Sequence, residues 1–207
     1  MGEAGTAAGD GLWDGLLSAT EGAGPLLQRD YWAVIDRCGC SPSEVMELVA
    51  SRFPEFAPRE LVVFEPESER EGPLEPGDEL TVRIRGAGTF RVRIIHRDRQ
   101  SLTLATLPGH PEAGRITFGA YRNERGDVIF HIRSRARSGS RVMYLGFRTG
   151  GEAMQTNTWT EFVNTVALTV GEGVIGFLHA ESTVMKEAHE SADDVRGPTF
   201  LARGDES

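Results

Sequence analysis

The chain has 207 residues, 39% of them hydrophobic, enough for one large domain or two small ones, and a core of that size needs no covalent staples. Its formal net charge of −9 argues against nucleic acid or an anionic membrane surface as the main partner. The only cysteines, Cys38 and Cys40, are too close for an ordinary disulfide and too few for a metal site, so no disulfide framework, metal or other cofactor is expected.

Residues 1–25 are rich in Gly and Ala and read as a flexible tail with a small apolar cluster at Leu12, Trp13, Leu16 and Leu17. No basic and apolar leader is visible, and no run approaches the ~18 apolar residues of a membrane span, so a cytoplasmic protein is expected. Every basic residue except Lys186 is arginine, as in proteins of GC-rich bacterial genomes.

A single domain is expected over residues 26–187. Asp30–Asp36 is aromatic and β-branched and reads as a strand. Ser41-Pro42-Ser43-Glu44 starts a helix: Ser41 caps, Pro42 suits the first turn, and Glu44 closes a capping box. Val45, Met46, Leu48, Val49 and Phe53 continue at helical spacing until Pro54 and Pro58. Leu61–Phe64 is a short strand, and residues 65–79 form an acidic, solvated loop.

From Leu80 the apolar period becomes two. Leu80, Val82 and Ile84 alternate with Arg83 and Arg85, and after Gly86-Ala87-Gly88, Phe90, Val92 and Ile94 alternate with Arg91 and Arg93. Strands follow at Ser101–Ala105, Arg115–Tyr121 and from Val128, the last with Phe130 and Ile132 inward and His131, Arg133, Arg135 and Arg137 outward. Thr158 and Glu161 open a helix whose apolar stripe includes Trp159, Phe162, Val166, Val170, Val174 and Phe177 and extends to about Lys186. Residues 188–207 are polar and acidic and read as a second flexible tail.

This order predicts an α+β fold, a curved antiparallel sheet wrapped around a long C-terminal helix with a cavity between them. It resembles the helix-grip fold of the START and Bet v 1-like superfamily. A more specific resemblance lies in Thr106-Leu107-Pro108-Gly109-His110-Pro111-Glu112-Ala113-Gly114, followed by Phe118 and by Gly126-Asp127-Val128-Ile129-Phe130-His131-Ile132. These residues are similar to the signature of an uncharacterised bacterial and plant family, domain of unknown function nineteen-ninety. Arg115 stands where that family usually has Glu, Ile129 where it has Trp, and His131 where it has Glu. The resemblance implies a START-like fold and no reaction.

Three functions fit these residues. The first is a non-enzymatic protein that binds a small, largely apolar ligand, with Trp32, Phe118, Phe130, Trp159, Phe162 and Phe177 lining the pocket or simply forming core. The second is an enzyme acting on a polyketide- or steroid-like molecule with His110 as general acid or base beside Glu112; the bland alternative is an imidazole that braces a Pro-Gly loop. The third is an interaction module whose arginine face (Arg83, Arg85, Arg91, Arg93, Arg133, Arg135) takes an anion or acidic partner, against a solvated face neutralised by the acidic loop. Gly171-Glu172-Gly173-Val174-Ile175-Gly176 spells a dinucleotide fingerprint but does not sit between a strand and a helix, so no nucleotide is expected. Its glycines call instead for a close approach, a kink, room for a ligand, or a helix break between Val170 and Val174.

Overall fold

The computed structural model describes residues 11–68, 71–139 and 151–185. In chain order the elements are β1 (Ala23–Ile35), α1 (Pro42–Ser51), α2 (Phe53–Phe56), β2 (Val62–Pro66), β3 (Glu79–Ile84), β4 (Gly88–Arg97), β5 (Ser101–Thr106), β6 (Glu112–Arg122), β7 (Val128–Ser138), α3 (Gly151–Val170) and β8 (Val174–Val184). The strands form one eight-stranded sheet in the order β2-β3-β4-β5-β6-β7-β1-β8. Each neighbouring pair is antiparallel.

The capping box expected at Ser41 forms. Ser41 accepts from the Glu44 amide, and the Glu44 carboxylate accepts from the Ser41 amide at 2.7 Å. The period-two pattern sets which sheet face is covered. Tyr31, Ala33, Leu80, Val82, Ile94, Leu104, Phe118, Phe130 and Ile132 are buried in one cluster with Val45, Val49, Phe53 and Phe56 of α1 and α2 and Phe162, Val163 and Val166 of α3. The centre of that cluster is aromatic. Phe53 meets Phe64, Phe118 and Phe162 at centroid separations of 5.2, 5.0 and 5.3 Å, largely edge-on. Such pairs add ~0.5–1.5 kcal/mol each beyond the area they bury.

The long helix ends at Val170, not near Lys186, and an eighth strand follows. Its apolar spacing at Val174, Phe177 and Leu178 mimics a continued helical stripe. The glycines decide otherwise. A Cβ on Gly171 would lie 2.3 Å from the Asp36 carbonyl oxygen, and Gly173 has φ +112°. The reversal hooks onto the end of β1, with Glu172 N donating to Asp36 O at 2.9 Å and Asp36 N donating to Gly173 O at 2.8 Å. β8 then runs back along β1, with an irregularity between the Trp32–His179 and Val34–Ile175 pairs. Of the explanations open for these glycines, the structure carries the helix break and the close approach.

Residues 11–22 lie against the sheet near the end of β5. Leu17 N donates to Thr106 O at 2.8 Å, Thr106 Oγ1 donates to Leu17 O at 3.1 Å, and Ala19 is buried in a capped 3-10 turn. The expected C-terminal tail, 188–207, lies outside the described residues.

Gly171→Ala should lower unfolding free energy by ~2 kcal/mol or more in urea, because backbone must move to admit the methyl group. Gly39→Ala, with nothing within 4 Å of the new carbon, should stay within ~0.5 kcal/mol of the parent.

Candidate ligand-binding site

A cavity of about 440 Å³ separates the inner face of the sheet from the N-terminal half of α3. Its walls are apolar: Val62 and Phe64 from β2, Val82 and Ile84 from β3, Val92 and Leu104 from β4 and β5, and Ile116 from β6. Met154, Thr158 and Trp159 of α3 face them, and the exposed β3–β4 turn, Arg85-Gly86-Ala87, forms part of the rim. The aromatic cluster fills the other half of the grip. Here the lining positions on β6 and β7 are small: Gly114, Ser134 and Ala136. Gly114 has φ +151°, and a Cβ there would lie 2.2 Å from Arg135 O, so the position admits no side chain.

The opening motif is shorter as a loop than its composition suggests. Thr106 ends β5, Glu112 already begins β6, and Gly114 pairs with Ala136 across β6–β7. Thr106 Oγ1 accepts from Gly114 N at 3.0 Å, which ties the loop's two ends together, and its one hydrogen is shared between Leu17 O and Gly114 O at 3.1 and 3.2 Å.

His110 and Glu112 both line the cavity, but their side chains do not meet. His110 is held by backbone. The Glu112 amide donates to Nδ1 at 3.1 Å or, in the other tautomer, Nδ1–H donates to the Glu112 carbonyl at 3.0 Å. Phe90 stands edge-on to the ring at 5.4 Å. Burial pushes the imidazole down to about 4 against the opposing pull of the backbone bond, so it is neutral at pH 7.

The Glu112 carboxylate turns instead to Arg29, which is 3% exposed and bonds it at 3.0 Å. Gln155 of α3 donates from Nε2 to the other carboxylate oxygen at 2.7 Å. Burial raises the Glu112 carboxyl, and Arg29 and Gln155 oppose that rise. This polar layer joins β1, β6 and α3 at one end of the cavity.

Ser134, Gln155 and Trp159 also line the cavity, and each carries a buried side-chain atom without a hydrogen-bond partner: Oγ, Oε1 and Nε1. Sequence reasoning missed Arg29, Ser134 and Gln155. Each had a signal: Arg29 shares the inward parity of Tyr31 and Ala33, Ser134 falls between Ile132 and Ala136, and Gln155 lies one helical turn before Trp159.

Of the six aromatic residues expected around the pocket, only Trp159 lines it. Phe118, Phe130 and Phe162 are fully buried in the solid aromatic core. Trp32 lies on the opposite sheet face, stacked on His179 at 4.7 Å and tilted against His131 at 5.6 Å. Phe177, no longer helical, is 82% exposed on β8.

The arginines divide into two groups, because β5 and β6 separate β4 from β7. Arg83 pairs with Glu65, and Arg91 and Arg93 pair with Glu79 at 3.1 and 2.7 Å. Arg133 donates to Asp30 at 2.5 Å and Arg135 to Gln28 at 2.9 Å. Asp30 also bonds His131 Nε2 at 2.7 Å. Burial raises the Asp30 carboxyl, but His131, Arg133 and Gln28 together outweigh it and hold the group below its ordinary value. Glu65 on β2 and Glu79 on β3, at the two ends of the acidic segment read as a loop, thus pair with Arg83, Arg91 and Arg93, and Arg85 sits apart at the cavity rim. Among the described residues no cluster of His, Cys, Asp and Glu could hold a metal ion, and no helix is long and apolar enough to cross a membrane.

An antiparallel sheet curved over one long helix, with a cavity between the two, is the helix-grip architecture. Residues 41–165 match the family model described as "Domain of unknown function (DUF1990)", and the chain belongs to that family. No curated protein sequence matches it. Similar solved structures include major latex-like protein 151 of Panax ginseng (13% identity, TM-score 0.46, covering 71% of this chain and 99% of that one). Another is a norcoclaurine synthase point mutant of Thalictrum flavum in complex with a transition-state analogue (11%, 0.45, 68% and 96%). A third is the di-domain ARO/CYC protein StfQ of the steffimycin biosynthetic pathway (12%, 0.46, 70% and 51%).

The His110 ring should stay neutral in an NMR titration until the pH approaches about 4. The unfolded chain takes up this proton near pH ~6.5, so His110 lowers stability progressively as pH falls from there toward about 4 and adds no further loss below. His110→Gln should flatten that part of the stability profile; an ordinary midpoint near ~6.5 in the folded protein would contradict the buried placement.

Proposed function

We propose that this domain binds a small, largely apolar molecule in the cavity between the sheet and α3. The observation that carries the reading is a largely apolar cavity of about 440 Å³ whose lining also includes the polar residues His110, Glu112 and Gln155. That volume falls within the usual range for small-molecule sites, ~300–1,000 Å³. The combination of apolar walls with a few convergent polar groups is the usual chemistry of such sites.

Catalysis finds less support. His110 is engaged through Nδ1 by backbone alone, and Glu112 is committed to Arg29 and Gln155. An imidazole held near 4 is a weak base at neutral pH, poorly matched to proton transfer there.

Native mass spectrometry of freshly purified protein should find a co-purifying small molecule, or the protein should take up an apolar fluorescent probe stoichiometrically. Ala136→Phe, which places a ring in the cavity, should weaken probe binding at least ~10-fold, about 1.4 kcal/mol, while the circular dichroism spectrum is retained. Equal probe binding by the folded variant would contradict the reading.

A further inference from the structure

We infer that the ligand is an amphipathic monoanion: its apolar body occupies the cavity, and its carboxylate stays at the mouth, held by Arg85. The inference rests on reading the cavity as a binding site and specifies the head group of its occupant.

Arg85 differs from the other arginines of its hairpin. Arg83 reaches Glu65, Arg91 and Arg93 both reach Glu79, and Arg97 reaches Glu47 and Glu75. Among the described residues no group bonds the Arg85 guanidinium. Register gives the reason. Arg85 N donates to Leu61 O at 2.9 Å, so an apolar residue stands beside it where the neighbouring strand begins, before the carboxylates of β2.

Arg85 also leaves the strand's alternation. Ala87 N donates to Ile84 O at 3.0 Å, and Gly86 has φ +78°. This is a tight turn of type II, with the glycine third, where positive φ is required, and Arg85 at the corner before it. The residue is exposed, and the turn lines the cavity together with Ile84 and Phe90. A head group arriving from solvent therefore meets Arg85 without displacing a side chain. The long stem lets the guanidinium swing to the mouth from this corner.

The charges inside the cavity leave a ligand's ion no better place. Glu112 is a lining carboxylate, but Arg29 pairs with it at 3.0 Å. Arg115 also lines the cavity and is engaged by a partner. An ionised group carried inward would lose its hydration without gaining a counter-ion. At the mouth a carboxylate keeps part of its water and gains the two parallel N–H bonds that a guanidinium fork offers. A neutral head group forgoes the charge assistance, and a cation meets like charge.

The test compares three probes of one ring skeleton by isothermal titration at pH 7 in low salt: 2-naphthylacetate, 2-naphthol and 2-naphthylmethylammonium. The first is an anion, the second neutral and the third a cation. The inference predicts binding in that order, with 2-naphthylacetate at least about threefold tighter than 2-naphthol, the size of a favourable exposed ion pair. Arg85→Gln should bring that ratio to about one, and Arg85→Lys, which keeps the charge and loses the fork, should give an intermediate ratio. Melting temperatures should stay at the parent value, because Arg85 is exposed and bonds no other side chain. Equal binding of 2-naphthylacetate and 2-naphthol, tightest binding of the ammonium, or an anion preference that survives Arg85→Gln would overturn the head-group assignment and leave the binding reading standing. Failure of all three probes to bind would overturn the head-group assignment and the binding reading together.

Discussion

The ion pair between Arg29 and Glu112 is the interaction on which the site depends. It reaches from β1 to β6 over β7, which lies between them in the sheet. A buried pair of this kind gives little net stability, because desolvation offsets attraction, but losing one member leaves a charge stranded at a cost of ~3–5 kcal/mol. Its effect here is organisational. The second carboxylate oxygen takes the Gln155 amide and so fixes the orientation of α3's polar side chain. It also turns the Glu112 carboxylate away from His110, which is left to its backbone partner.

That arrangement needs room above β7, and the inner positions of β7 supply it. Near the aromatic core they carry Phe130 and Ile132, both fully buried; toward the ion pair they carry Ser134 and Ala136. The same gradient runs along β6, from Phe118 to Gly114. One end of the grip is therefore packed solid by Phe53, Phe118, Phe130 and Phe162, and the other end remains open between small residues and α3. The packed end supplies the rigidity that lets the open end persist without collapse.

Much of this was legible in the chain. Alternation from Leu80 to Ile132 identified the strands and their inner faces, because one buried face leaves little freedom of register. The capping box at Ser41 marked a helix start from local chemistry alone. The end of α3 was harder, since Val174, Phe177 and Leu178 fit a helical stripe as well as a strand, and the decisive contact of Gly171 with Asp36 is distant in sequence. Large aromatic residues were a poor guide to the pocket. Burial drives them into the filled core, whereas a cavity is marked by what is small (Gly114, Ala136) and by polar groups at inward positions (Arg29, Ser134, Gln155). The arginines expected on one sheet face fall into two groups, and carboxylates of residues 65–79 pair with those of β3 and β4.

The most direct measurement is a crystal structure of the protein grown with 2-naphthol. The account predicts the ring between Phe64, Val82 and Ile116, with the Arg29–Glu112 pair intact. A cavity closed by inward rotation of Trp159 and Phe64, with naphthol absent or held only at the surface, would contradict it.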